Sequence, residues 1–255
     1  MPTSKSYPAL HDRAILARTF EPYDGGALKG LGIARSGTAE YQEILGLRDR
    51  FVRDMGWLKG VERQDDSDRY DEESAGSLHF YTKNDRGLLE ASMRLTPVAS
   101  IDESLSVEML AGSPEALEGY NQYRAELRDL SQRGNMWDLT RMVHPLDGSV
   151  EPEAIMAGMV KMIGAGISAC HTHHATEPPV WIFTTTIAME QALNNLGIKH
   201  DVVTGGKLSA DDREDSLFCV AKPLDALYYV QDNPEEYAFT VRHVSDGLQL
   251  RFCSL

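Results

Sequence analysis

The chain is predicted to be an α/β protein, a three-layer α/β/α sandwich, because strand-like and helix-like segments alternate along its 255 residues. Three observations carry this. After Ala39 apolar residues recur at three- and four-residue spacing, through Ile44, Leu47, Phe51 and Val52, as one buried helix face requires. LHFYTK (78–83) and LLEASMRLT (88–96) flank the turn-forming NDRG, which predicts a hairpin. PEAIMAGMVKMIGAGISACHTH (152–173) is apolar on almost every face and is expected to be a buried helix.

The elements follow in order. Residues 1–38 join the apolar AILARTF to the Gly-rich EPYDGGALKGLG, an N-terminal extension expected to hold one strand and then a loop. The helix that begins at Ala39 should end near Gly56, and the acidic VERQDDSDRYDEESAGS (61–77) reads as an exposed connection. After the hairpin comes a polar stretch, residues 100–135, helical in its middle. It is expected to be an insertion, because it lacks an apolar face of any size. NMWDLTRMV (135–143) is strand-like, and VWIFTTT (180–186), rich in β-branched and aromatic residues, is a strand entered after TEPP. IAMEQALNNLG is a helix closed by glycine, and EDSLFCVAKPL gives one more strand. The expectation is a single domain over 1–255, with a core at 39–225 and a C-terminal extension at 226–255.

Composition excludes several functions. A formal charge of −14 and a pI near 5.0 argue against nucleic acid, whose phosphates need clustered Lys and Arg. The same charge is a poor general match for an acidic carrier protein, although a local basic patch can override it. Cys170, Cys219 and Cys253 are odd in number and unpatterned, so neither a disulfide framework nor a metal site is signalled, and a reducing cytoplasm is expected. The N-terminal MPTSKSYPALHDR has no apolar run after its charges, and Lys161 interrupts the longest apolar stretch. Neither a secretory signal nor a membrane span is expected.

The chemistry-bearing residues fall in an ordered set: LRDRFVRDMGW (47–57), DSDRYD (66–71) and ASMRLTP (91–97), then MWDLTRM (136–142). Arg48, Phe51, Trp57, Asp68, Asp71, Arg94, Asp138 and Arg141 stand out in it. This set resembles the acyl-homoserine-lactone synthases, the autoinducer synthases of quorum sensing, over roughly residues 40–225. Two positions depart from the family pattern. The family's first arginine lies four residues before the phenylalanine, whereas Arg48 lies three before Phe51, and the family's glutamate is here Asp138.

The resemblance implies an N-acetyltransferase-like fold with splayed central strands that admit a thioester's pantetheine arm. It implies acyl transfer from acyl-CoA or an acyl-carrier protein to S-adenosylmethionine, followed by lactone closure and release of methylthioadenosine. Both are substrates, and no cofactor or metal is implied. Asp138, Asp68, Arg94 and Arg141 are the implied catalytic residues, with Asp138 or Asp68 receiving the amine proton. Arg48, Phe51, Trp57 and Asp71 are the implied substrate contacts. A gap-free alignment puts Phe183, beside Thr184, where 3-oxo-acyl enzymes tend to carry threonine, so a chain without a 3-oxo group is expected.

Without the resemblance the same residues have plainer readings. Asp68 and Asp71 would be solvated charges in a loop, Asp138 and Arg141 a surface salt bridge worth under about 1 kcal/mol, and Phe51 and Trp57 core anchors. His171, His173 and His174 lack an acid or cysteine at helical spacing to complete a tetrahedral metal set. GAGISA lacks the strand-to-helix context of a phosphate loop, and no Gly-x-Gly turn follows Arg141, against an ordinary acetyl-CoA enzyme. Two alternatives stay open: a related N-acyltransferase acting on another amine, and a non-catalytic acyl-ligand-binding module.

Overall fold

The computed structural model describes residues 30–56, 71, 76–133, 135–173, 178–206 and 216–250, with backbone alone for 171–173. Among these, β1 (Leu31–Ala34), β2 (Leu78–Lys83), β3 (Leu89–Pro97), β4 (Met136–Val143), β5 (Val180–Thr186), β6 (Asp201–Gly206) and β7 (Ser216–Ala221) form one sheet. Their order is β1-β2-β3-β4-β5-β7-β6. Neighbours are antiparallel except β4 and β5, which run parallel. The helices are α1 (Ala39–Asp54), α2 (Leu105–Leu110), α3 (Pro114–Gln132), α4 (Pro152–His173), α5 (Ile187–Asn195), α6 (Pro223–Asp232) and α7 (Ala238–Leu248).

Alternation along each strand sends side chains to two faces. Phe80, Ala91, Met93, Trp137, Trp181, Phe183 and Cys219 point to one face and pack with α4, Leu193 of α5, Leu224 and Leu227 of α6 and Val244 of α7. Met136, Ile182 and Phe218 point to the other, where they meet Val107 and Leu110 of α2 and Ala116, Tyr120 and Leu127 of α3. The stretch expected to be an insertion without an apolar face is therefore the cover of half the sheet. Its apolar residues are spread over a short 3-10 turn and two helices, and no single helix carries enough of them to announce a core. Helix α1 shares that side, seated against β3 and β4. The result is the expected three-layer arrangement. Strand β6, with an exposed Val202 and two glycines, lacks the apolar alternation that would have predicted it.

The hairpin forms as read, with Asn84 Oδ1 accepting from the backbone N–H groups of Arg86 and Leu88. Thr38 caps α1, its Oγ1 accepting from the Tyr41 N–H at 3.3 Å. The strand found in the N-terminal stretch is β1; AILARTF lies outside the described residues.

The C-terminal stretch is part of the core. Helix α4 is long and apolar enough to cross a membrane by length and composition alone, yet it lies between the sheet and α7. Gly164 and Gly247 let the two backbones touch: a Cβ on Gly247 would fall on the Lys161 carbonyl, and one on Gly164 on the Val244 carbonyl. Gly247→Ala is expected to cost at least about 1–3 kcal/mol, because backbone cannot step aside as a side chain can. A denaturation midpoint equal to the parent's would show that α7 does not hold α4.

The central pair of strands is splayed. Parallel pairing of β4 with β5 covers Met136↔Val180, Trp137↔Trp181 and Asp138↔Ile182. Beyond that β4 follows β3 as far as Val143, while β5 follows β7 to Thr186. Asp138 sits at the point of divergence.

Candidate active site

Helix α1 and the hairpin assemble the first part of the site. Tyr41 and Arg48, seven residues apart, lie on the buried face of α1 with Ile44 and Leu47. Arg48 donates through both terminal nitrogens to Asp71, Nη1 to Oδ1 at 2.7 Å and Nη2 to Oδ2 at 2.9 Å. Arg94 of β3 brings Nη1 to within 3.0 Å of the same Oδ1. Both arginines are almost fully buried, so one carboxylate is clamped by two guanidiniums in a dry setting where charge-assisted bonds are strong. The offset of Arg48 in sequence does not keep it from Asp71. Its long arm and its place on the sheet-facing side of α1 supply the reach.

Three further side chains complete this cluster, none of them singled out from the sequence. The Tyr41 hydroxyl donates to the Asp71 carbonyl at 3.3 Å, and burial, then the Asp71 charge, pushes its pKa up to about 12. His79 stands edge-on to Tyr41, centroids 4.9 Å apart, with Nδ1 3.9 Å from Asp71 Oδ1. Thr140 Oγ1 accepts from Arg94 Nε at 3.0 Å. Signals for them existed: helical spacing from Arg48 for Tyr41, the hairpin register opposite Arg94 for His79, and alternation from Asp138 for Thr140.

Between β3 and β4, Met93 alone lies opposite two residues, Arg141 and Met142, since Ser92 pairs with Val143 and Arg94 with Thr140. Arg141 lies in this bulge with φ of 56°, a left-handed backbone that side chains rarely adopt and that marks a strained, aimed position. The extra residue returns Val143 to the face of Thr140, where it packs with Leu47 and Leu89.

Asp138 is fully buried. The surface salt bridge with Arg141 is not what holds it. Oδ1 accepts from the Ser106 hydroxyl at 2.6 Å and Oδ2 from the Ser106 N–H at 3.0 Å. Burial pushes its pKa up to about 6 against the opposing pull of the Ser106 bonds, then of Arg94 and the Leu105 backbone. A carboxylate so placed is ionised at neutral pH and still basic enough to accept a proton.

Helix α2 spans the fork. Ser106 is tied to Asp138 on β4, and on β5 the Thr184 hydroxyl meets Met109 Sδ at 3.3 Å. Phe183 points the other way, into the main core beside Leu193 and Cys219, with its ring 5.5 Å from that of His200. Pairing of β5 with β7 is unbroken from Trp181 to Thr186, so no bulge exchanges Phe183 and Thr184. Cys170 accepts from Trp181 Nε1 at 3.4 Å, and burial pushes the thiols of Cys170 and Cys219 upward.

Phe51 stands apart from the arginine cluster. Its ring meets His144 edge-on at 5.6 Å, and both line a cavity of about 700 Å³ between α1, residues 87–89 and the 144–149 loop. Trp57 and Asp68 lie outside the described residues, as do the side chains of His171 and His173 and the whole of His174.

No protein-family model matches the chain, and no curated protein matches it by sequence. Solved structures do. TofI, in a ternary complex with an inhibitor and MTA, is similar over 77% of this chain and 95% of its own, with a TM-score of 0.51 and 16% identity. BjaI, a CoA-dependent acyl-homoserine lactone synthase solved with SAM and isopentyl-CoA, is similar over 80% of this chain and 88% of its own, with a TM-score of 0.51 and 13% identity. At such identities the likeness is one of fold. The splayed seven-stranded sheet and its helices are thus the fold of the acyl-homoserine lactone synthase BjaI and of TofI.

Proposed function

We propose that the protein is an acyl-homoserine-lactone synthase that joins an acyl thioester to S-adenosylmethionine and releases methylthioadenosine. The observation that carries this reading is the buried Arg48–Asp71–Arg94 cluster beside a splayed sheet, built from residues that the motif resemblance singles out. TofI with MTA and BjaI with SAM and an acyl-CoA supply the same ligands on the same fold. The reading makes S-adenosylmethionine and acyl-CoA the partners and the cytoplasm, where Cys170 and Cys219 stay reduced, the setting.

The chemistry follows from the geometry. Beyond Asp138 and Ile182 the facing edges of β4 and β5 no longer pair with each other, and their backbone groups suit the amides of a pantetheine arm. A thioester carbonyl seated there lies next to Asp138, and backbone N–H groups stabilise its oxyanion. The substrate ammonium must lose a proton before it attacks, and Asp138 takes that proton directly or through one water. The amine then displaces the thiol. In the second step the methionine carboxylate attacks the carbon beside the sulfonium, which depends on alignment more than on a catalytic group. Arg94 and Arg141 hold the charges in register, Asp68 is the alternative proton acceptor, and Arg48, Asp71, Phe51 and Trp57 bind the substrate.

Incubation with S-adenosylmethionine and a panel of acyl-CoA and acyl-carrier-protein thioesters tests this. Lactone together with methylthioadenosine is the expected result. Thiol release without methylthioadenosine points to an acyltransferase for another amine, and neither product points to a binding module.

Donor preference follows from Phe183. It fills the space on the α4 and α5 side of β5 and offers no donor for a 3-oxo group, so chains without that group are expected to react faster. Phe183→Thr should shift the ratio of rates toward 3-oxo donors by about 10–200-fold at most, the range one small pocket change supplies. Competition between matched donors checks it, and a native preference for the 3-oxo chain would end the argument.

A further inference from the structure

We propose that Ser106 is a positioning residue for Asp138, aiming its carboxylate into the fork and keeping it ionised. This rests on the reading of Asp138 as the base. Ser106 belongs to α2, outside the motifs and 32 positions from Asp138 in sequence, and meets Asp138 through two groups at once, hydroxyl to Oδ1 at 2.6 Å and N–H to Oδ2 at 3.0 Å. Two bonds from one residue fix the plane of the carboxylate and the direction of its remaining lone pairs, the geometric requirement of a proton acceptor. Asp138 has little else to orient it. From β3 it feels the charge of the Arg94 guanidinium, which contacts Asp71 through Nη1 and Thr140 through Nε; from α2 it faces Ser106 and the backbone of Leu105; and beside it on β5 lies Ile182, which is apolar.

Helix α2 is itself well anchored for this task. The Ser104 hydroxyl caps it by accepting from the Val107 N–H at 3.0 Å, Leu110 is fully buried under it, and Met109 reaches Thr184 on the opposite limb of the fork. A rigid mount of this kind holds a catalytic group to fractions of an ångström.

Two readouts test the proposal. In protein labelled with ¹³C-carboxyl aspartate, with the Asp138 signal identified by its loss in Asp138→Asn, Ser106→Ala should raise the titration midpoint of Asp138. A rise of about one to two pH units is expected on loss of one hydrogen bond to a charged group. Ser106→Thr, which keeps the hydroxyl, should titrate with the parent. In turnover assays the acid limb of the kcat/KM profile should move up with Ser106→Ala by the same amount, at unchanged KM for S-adenosylmethionine. An unmoved midpoint in Ser106→Ala, or equal shifts in the Ala and Thr variants, overturns the proposal. Because the titration needs no turnover, a parent protein that forms no methylthioadenosine would defeat the functional reading and leave the role of Ser106 to be decided by the midpoint.

Discussion

Arg94→Ala and Asp71→Ala are each expected to abolish lactone formation. Asp71 is shared by Arg48, at 2.7 and 2.9 Å, and Arg94, at 3.0 Å, so its removal takes one carboxylate away from two buried cations. Breaking a buried pair in this way costs about 3–5 kcal/mol, more than the pair adds relative to an apolar replacement. Part of that loss is stability, so circular dichroism and a melting curve accompany the kinetics. Arg94→Lys separates the two contributions. It keeps the charge near Asp71 but cannot also donate through a planar Nε to Thr140, and it should fold while turning over slowly. A folded Arg94→Ala or Asp71→Ala protein with near-parental turnover would remove this cluster from the site.

The second large effect is at Asp138. Asp138→Asn should lower turnover by about 10²–10⁴, the usual worth of a positioned general base, with the fold retained. Asp138→Glu keeps the charge and should be milder in rate, although the added methylene has no free space in a fully buried site and costs about 1–3 kcal/mol of stability. Burial pushes the Asp138 pKa up to about 6, so parental activity should fall as pH drops through that value, where the carboxylate takes up a proton before the substrate can supply one. The same shift has a consequence for stability. A carboxyl whose folded pKa exceeds its unfolded value of about 3.9 favours folding fully below that value, and the contribution is lost as pH rises through about 6. An Asn variant as active as the parent at every pH would leave Asp138 as the anchor of α2 and nothing more.

Much of this was legible in the chain. The hairpin around Asn84–Gly87, the buried helix at 152–173 and the helix after Thr38 are set by short-range periodicity and turn chemistry, and they form where they were expected. The motif residues Arg48, Asp71 and Arg94 come together as their joint appearance suggested, and Tyr41, His79 and Thr140 could have been added by the same spacing rules. Ser106 could not. Nothing near residue 106 distinguishes it from the other serines of a polar stretch, and its role exists only because α2 folds back over β4.

The sequence by itself therefore determined the hairpin, the helices at 39–54 and 152–173, the strands at 136–143 and 180–186 and the charged motif residues, because helix and strand periods and motif spacing are encoded within a few residues of one another. Only the tertiary structure decided what depends on distant segments meeting. The fork opens where β4 stays with β3 and β5 goes with β7. Asp138 is held by Ser106 because α2 folds back over β4 and brings the Ser106 hydroxyl and N–H to its carboxylate. Residues 100–135 become a wall of the core because their scattered apolar side chains find a sheet face to cover, and the last helix joins the core because glycines on α4 and α7 let two backbones touch. Each is a long-range contact whose energy comes from burial and shape, which no local pattern records.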